Sequence, residues 1–214
     1  YVAFNSRINN LAYVLQLLSE SLMKEFTPEN SSNEISLLDS MPIITCSGKR
    51  QGKVANQITN KSYCSTKNLY YYGVKLHALA SFDKGHLPHP ESIVISKASE
   101  NDLNVFKDNW ATLKNKTFFA DKIYIHKEFF DELYLKNNSK MLTPIKAVKG
   151  QDKFLKNWDS SYNFQFSKAV STVRQPIEGL FNWLIEKTDI QRASKVRSLK
   201  GLQVHIFGKL AAAF

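Results

Sequence analysis

Two acidic residues of this chain sit where acids are costly. Asp39 lies in ISLLDSMPI (35–43) and Asp121 in TFFADKIYI (117–125), each inside an otherwise apolar run. Burying an unpaired carboxylate costs on the order of several kcal/mol. If the two segments are neighbouring strands, their carboxylates lie side by side. One must then take up a proton unless a cation comes between them. Mg²⁺ suits such a pair, because it is hard and octahedral and is content with a few carboxylates plus water and phosphate oxygens. Two such ions ~3.5–4 Å apart can activate an attacking oxygen and stabilise a leaving one in phosphodiester chemistry. Holding the second ion calls for a third carboxylate.

The best third acid is Glu178, in VRQPIEGLFNWL (173–184). It adjoins a helical apolar stripe of Val173, Ile177, Leu180, Phe181 and Leu184, which places it at the edge of the core. Arg174, four residues earlier, shares its face. The arginine could orient the glutamate or grip a phosphate with two donors. The plainer alternative is a surface ion pair one helical turn apart, worth a few tenths of a kcal/mol, and spacing alone favours it. Glu186 and Asp189 are more exposed alternatives.

The elements that must position these acids follow from periodicity. Residues 4–22 repeat as an amphipathic helix. FTPENSSNE (26–34) is a polar loop, and ISLLDSMPI is a strand that Pro42 ends near Asp39. Residues 45–67 are polar, basic and without period, so they read as an irregular loop. NLYYYGVKLHALAS (68–81) and ESIVISK (91–97) form a hairpin across FDKGHLPHP. Residues 99–115 form a helix capped by Ser99 or Asn101. TFFADKIYI is a strand, HKEFFDELYLKNN a short helix, and KMLTPIKAVKG a strand that leaves the sheet at Pro144. Residues 151–163 read as a surface excursion. A helix follows over 166–188, with Pro176 either kinking it or marking a first turn. GLQVHIFGKLAAAF is a last apolar helix. The sum is an α/β fold, a mixed sheet covered by helices.

Composition narrows the partners. The 214 residues are 43% hydrophobic, enough for one sizeable core with a small appendage. No stretch approaches the ~18 apolar residues of a membrane span. Lys and Arg number 29 against 19 Asp and Glu, a net charge of +10. A polyanionic partner follows, nucleic acid before an acidic membrane surface. The opening YVAFNSRINN has neither a signal-peptide layout nor an initiator Met, as expected of a fragment lacking an upstream domain. Cys46 and Cys64 read as free thiols of a reducing compartment. A zinc site built from Cys46, Cys64, His86 and His89 is a weak alternative, because no Cys-x-x-Cys pair is present.

Four segments, DSMPI, YYYGVKLHAL, FADKIY and RQPIEGLFNWLIEK, together resemble the catalytic domain of DDE-type bacterial insertion-sequence transposases. The nearest group is the one whose first acid lies in a D-S-x-P-I motif, and the likeness runs from about 28 to 214. It implies a ribonuclease H-like fold with a five-stranded mixed sheet flanked by helices, preceded by a helical segment over 1–27. It implies catalytic, metal-holding roles for Asp39, Asp121 and Glu178, and two Mg²⁺ ions, with Mn²⁺ as a substitute. The expected activity is DNA cleavage followed by strand transfer. The implied partner is double-stranded DNA at element ends and target, bound by a homodimer or larger assembly in a bacterial cytoplasm at the nucleoid, with no membrane. Arg174 matches the arginine of the family's Tyr–Arg–Glu–Lys signature. Ser171 stands in place of the tyrosine, and Ile185 in place of the lysine, with Lys187 two further on. Two readings compete: an inactive or truncated DNA-binding relative, and a ribonuclease H-like nuclease without strand transfer.

Further residues complete the expected site. Lys75 and His77 share one face of the long strand, next to Gly73. Lys75 is read as a phosphate contact, and His77 as a proton relay or a satisfied strand-face histidine. Asp102 is a helix N-terminal stabiliser or a hydrogen-bond partner near the site. Lys122 either touches the scissile phosphate or neutralises the acids. Lys49, Arg50, Lys53 and Lys61 of the basic loop are DNA-backbone candidates, as are Arg192, Lys195, Arg197 and Lys200 near the C-terminus. Each phosphate contact would add about −0.9 to the slope of log affinity against log salt.

Overall fold

Alternation along two long antiparallel strands organises the molecule. β1 (Ile35–Ser47) and β3 (Leu69–Ser81) pair from Ser36 opposite Ser81 to Ser47 opposite Tyr71. Successive side chains point to opposite faces. Leu37, Met41 and Ile43 of β1, with Val74, Leu76, Ala78 and Ala80 of β3, enter one core. Leu38 and Leu79 enter a second core on the other face, with Phe106, Trp110, Phe118, Phe129 and Leu133. Nearly continuous apolar sequence in these strands thus reflects burial on both sides. The computed structural model describes residues 2–29, 34–49, 52–146 and 150–214.

Three helices cover the first face or flank it: α5 (Lys153–Arg174), α6 (Pro176–Thr188) and α7 (Leu199–Ala213). The second is covered by α3 (Asp102–Asn109) and α4 (Lys127–Asn137). Near the N-terminus, α1 (Val2–Asn10) and α2 (Ala12–Glu25) follow each other, and α2 packs on α7. β5 (Thr117–Phe119) runs parallel to β1, and β6 (Lys140–Leu142) parallel to β5. The expected five-stranded ribonuclease H-like sheet is present with one more strand. β2 (Asn60–Cys64) pairs residues 69–73 of β3, and β4 (His89–Lys97) pairs residues 74–81. The two share one edge of β3 end to end, so six strands fill five positions.

Several boundaries differ from expectation. Pro42 does not end β1. The Ile44 N–H points away from β3 to the Gln191 carbonyl at 2.8 Å, so Pro42, two residues earlier, turns its N-donor side the same way. β5 stops pairing with β1 at Leu37, so no ladder bond is lost there. The basic loop read over 45–67 contains the end of β1 and all of β2. The strand expected over 117–125 ends at Phe119, and a 3-10 turn follows over Lys122–Tyr124. Residues 151–163 are not an irregular excursion. Asp152 accepts from the Phe154 and Leu155 N–H groups and starts α5. Pro176 is the first residue of α6, where its missing N–H costs nothing. The helix expected over 4–22 breaks at Leu11, just after Asn9 and Asn10, two weak helix formers. The expected helix over 99–115 is shorter, and Asn101 rather than Ser99 caps it, accepting from the Leu103 N–H at 2.8 Å.

No helix among the described residues is long and apolar enough to cross a membrane. Cys46 and Cys64 are free thiols. His86 pairs with Asp83 and His89 Nε2 lies 2.5 Å from the Met23 carbonyl, so the alternative zinc set is not assembled.

Candidate active site

Strand alternation decides which neighbour each residue of Asp39–Ser40 meets. Asp39 has the parity of Leu37 and Met41, so its carboxylate faces the side of α6. There the Arg174 guanidinium, on the last residue of α5, donates to Asp39 Oδ2 at 2.6 Å. The same guanidinium donates to Glu178 Oε1, also at 2.6 Å. The helical ion pair expected from the spacing is therefore present, and it extends to an acid 135 positions away. Glu178 sits in the first turn of α6, where a helix N-terminus favours negative charge. Asp39 Oδ1 accepts from the Ser40 N–H at 2.8 Å. Arg174 Nε is buried with no partner among the described residues.

Electrostatics bring Asp121 into the same group. Burial pushes the Asp39 carboxyl up to about 6. Arg174 and the Ser40 N–H pull it down, and the charges of Asp121 and Glu178 push it up. Burial works against the Arg174 charge, but Asp39, Glu178 and Asp121 together hold its pKa above the ordinary guanidinium value. Asp121 is exposed and begins the 3-10 turn, with its side chain making no cap bond. Glu186 and Asp189 are also exposed, on the far part of α6.

Ser40 has the opposite parity and faces α3. Its hydroxyl donates to Asp102 Oδ2 at 2.9 Å. Lys75 Nζ donates to Asp102 Oδ1 at 2.6 Å and to the Glu100 carbonyl at 2.7 Å. Lys75 and His77 do share a face, as expected, but it is the face opposite the Asp39 carboxylate. The Lys75 ammonium is occupied by Asp102, which explains how that buried acid is tolerated. His77 is fully buried, and its Nε2 lies 2.8 Å from Ser96 Oγ. Burial lowers the His77 pKa to about 4, with Asp102 raising it and Lys75 lowering it.

Sequence reasoning missed two members. Ser40 links the two acids, its N–H donating to the Asp39 carboxylate and its hydroxyl to Asp102, and a hydroxyl directly after a buried acid was the available signal. Tyr124 is buried, and its phenol is held well above its usual pKa by burial, then by Asp102, Asp39 and Asp121. Its aromatic ring read as ordinary core.

Two stability predictions arise here. Removing the guanidinium with Arg174→Gln leaves Asp39 without its main compensating charge. Unfolding free energy should fall by about 2–3 kcal/mol near pH 8, and by much less near pH 5, where Asp39 is protonated. Urea denaturation at the two pH values measures this, and an equal loss at both would contradict it.

The second prediction uses opposed titrations. Asp39 titrates near 6 in the folded chain against 3.8 ordinarily, so its contribution to stability falls as pH rises from about 4 to 6. His77 titrates near 4 against 6.5 ordinarily, so its contribution falls as pH drops from about 6.5 to 4. Each effect amounts to about 2–3 kcal/mol. Asp39→Asn should therefore lose stability on acidification, and His77→Gln on moving from pH 4 to 6, with the wild type flatter than either. Three parallel stability–pH curves would rule this out.

The donor set has the chemistry of a hard-cation site: carboxylate oxygens of Asp39 and Glu178 already converge on one positive group, with a third acid in electrostatic range. In the present side-chain arrangement no three His, Cys, Asp or Glu among the described residues are gathered to hold a metal ion. The guanidinium occupies that electrostatic position instead.

The other expected contacts are dispersed. Arg192, Lys195 and Arg197, between α6 and α7, and Lys200, in the first turn of α7, are exposed; so are Lys49, Lys53, Lys61 and Lys122 elsewhere in the chain. Arg50 lies outside the described residues. Lys122 borders a cavity of about 350 Å³, with Lys146 and Lys156. Tyr71 is buried and Tyr70 exposed, its ring tilted against Tyr63 and under the Lys61 ammonium, so the tyrosines divide between faces as expected.

Comparison with curated proteins and with solved structures returns no match. A family model described as transposase DDE domain matches residues 30–214. The ordered acids, the ribonuclease H-like sheet and this match agree: the chain belongs to the DDE-domain transposases, a family that acts on DNA and generally uses divalent metal ions.

Proposed function

We propose that residues 28–214 form a catalytic domain that cuts DNA strands and joins the freed ends to a target, with Asp39, Asp121 and Glu178 as its acids. One observation supports this reading most: a single guanidinium holds Asp39 and Glu178 together while the charge of Asp121 acts on Asp39 and on that guanidinium. Asp39, Asp121 and Glu178 would hold Mg²⁺, which when bound supplies Lewis-acid activation of the attacking and leaving oxygens. Asp39 is fixed by its strand and by the Ser40 N–H, so one ligand is held rigidly before DNA arrives. Glu178 is half-exposed and bridged to Arg174, so it would turn from the guanidinium to the cation. Arg174 carries planar paired donors that fit a phosphate once it releases either acid. Arg192, Lys195, Arg197, Lys49, Arg50 and Lys122 would bear on the DNA backbone.

The test is incubation of the chain with linear DNA carrying the element's ends, with Mg²⁺, with Mn²⁺ and with EDTA. Cation-dependent nicks at the ends, followed by joined products, support the proposal. Nicks without joined products would favour a plain nuclease. The ungathered acids favour a second reading, a DNA-binding relative without catalysis. Salt-sensitive DNA binding with no cation-dependent cleavage would establish it.

A further inference from the structure

The first half of α5 stands outside the fold. Residues 152–162 are all exposed, and Val170 is the helix's buried residue. On this projecting segment Phe154, Leu155, Trp158, Tyr162 and Phe166 are 73%, 52%, 66%, 81% and 44% exposed. At about 100° per residue they share roughly one third of the helix circumference. Lys153, Lys156, Asn157 and Ser160 fall on the other side, and Lys156 faces the cavity that Lys122 borders. No charged residue lies within the stripe, so a polyanion has nothing to hold there.

We infer that this stripe is a self-association surface, on which α5 of a second copy packs antiparallel without DNA or metal. Two features name the occupant. First, the five side chains leave roughly 700 Å² on the surface, close to the ~800 Å² per partner of a standard interface and larger than the apolar patches monomers usually expose. Second, four of the five are symmetric about Ser160, Leu155 facing the level of Gln165 instead. Phe154 and Phe166 are equidistant from it, as are Trp158 and Tyr162. A two-fold axis at that level sets Phe154 against Phe166 of the second copy and Trp158 against its Tyr162, as a closed two-fold pair requires. The inference does not depend on catalysis, and its failure would leave the proposed chemistry untouched.

Sedimentation velocity of the whole chain at tens of micromolar, free of DNA and cations, tests it. The wild type should run as a dimer. Trp158→Glu and Tyr162→Glu should each run at half that mass with unchanged thermal unfolding of the monomer, because both side chains are exposed. Phe164→Ser, also exposed on this helix but off the stripe, should remain dimeric. A monomeric wild type overturns the inference, as does a dimer that survives both stripe substitutions. So does Trp158 fluorescence that responds to lipid vesicles while the chain stays monomeric.

Discussion

Asp121→Asn is expected to slow cation-dependent nicking by about a thousandfold or more while leaving folding stability within about 0.5 kcal/mol of wild type. The two halves of this expectation come from different features. Asp121 is exposed, lies two residues past the end of β5, and starts a 3-10 turn through its backbone carbonyl, which accepts from the Tyr124 N–H at 3.1 Å. Its side chain makes no capping bond, so an isosteric amide leaves the fold alone. Loss of the carboxylate would remove one negative ligand from the proposed site, where Asp121 and Glu178 both act on Asp39. The contrast with Asp39→Asn is informative, because that change also removes a buried charge from the Arg174 bridge and alters stability with pH. Gel-based nicking, run beside urea unfolding of the same preparations, reads both quantities. Nicking by Asp121→Asn within tenfold of wild type would take Asp121 out of the proposed site.

Gly73→Ala should be the most destabilising small substitution near the site. Gly73 sits in β3 opposite Ile44. A Cβ added there would lie 1.9 Å from the Ile43 carbonyl oxygen and 3.0 Å from its carbon. Both are backbone atoms, so no side chain can swing aside. The strands must separate or shift at the point where β1 also bonds to Gln191 and Ala193. A shift of one residue would send Asp39 to the other face. We expect a loss of about 3–5 kcal/mol or failure to fold at 37 °C, on the scale of severe backbone and overpacking effects. A thermal-unfolding midpoint within a few degrees of wild type would refute this. Gly85 is the opposite case: no atom stands near its Cβ direction, but its φ of +87° would strain an alanine through the backbone alone.

Much of this molecule was legible in its residues. Asp39 stood out as a charge in an apolar run that is indeed buried, whereas Asp121, read the same way, lies exposed beyond its strand; the long hairpin strands and α6 and α7 followed from periodicity. Period 2 in β1 even determines that Asp39 and Ser40 serve opposite faces, and Pro176 by its chemistry marks where α5 yields to α6. Tertiary structure decided the rest. Spacing could register Arg174 and Glu178 as a helical pair, but only the seating of the α5–α6 junction against β1 turns that pair into a bridge to Asp39. Only the register of β3 on β1, with α3 beside it, commits Lys75 to Asp102 and away from the face of Asp39. The short β2 was hidden because a strand of five residues carries little pattern of its own and is held by the free edge of β3. The start of α5 was open to reading, since Asp152 is a capping residue and Phe154, Trp158, Tyr162 and Phe166 recur every four positions; that this stripe has no cover among the described residues is what only the tertiary structure decided. Local sequence sets the direction in which each side chain points; which partner stands in that direction is a property of how separate elements pack.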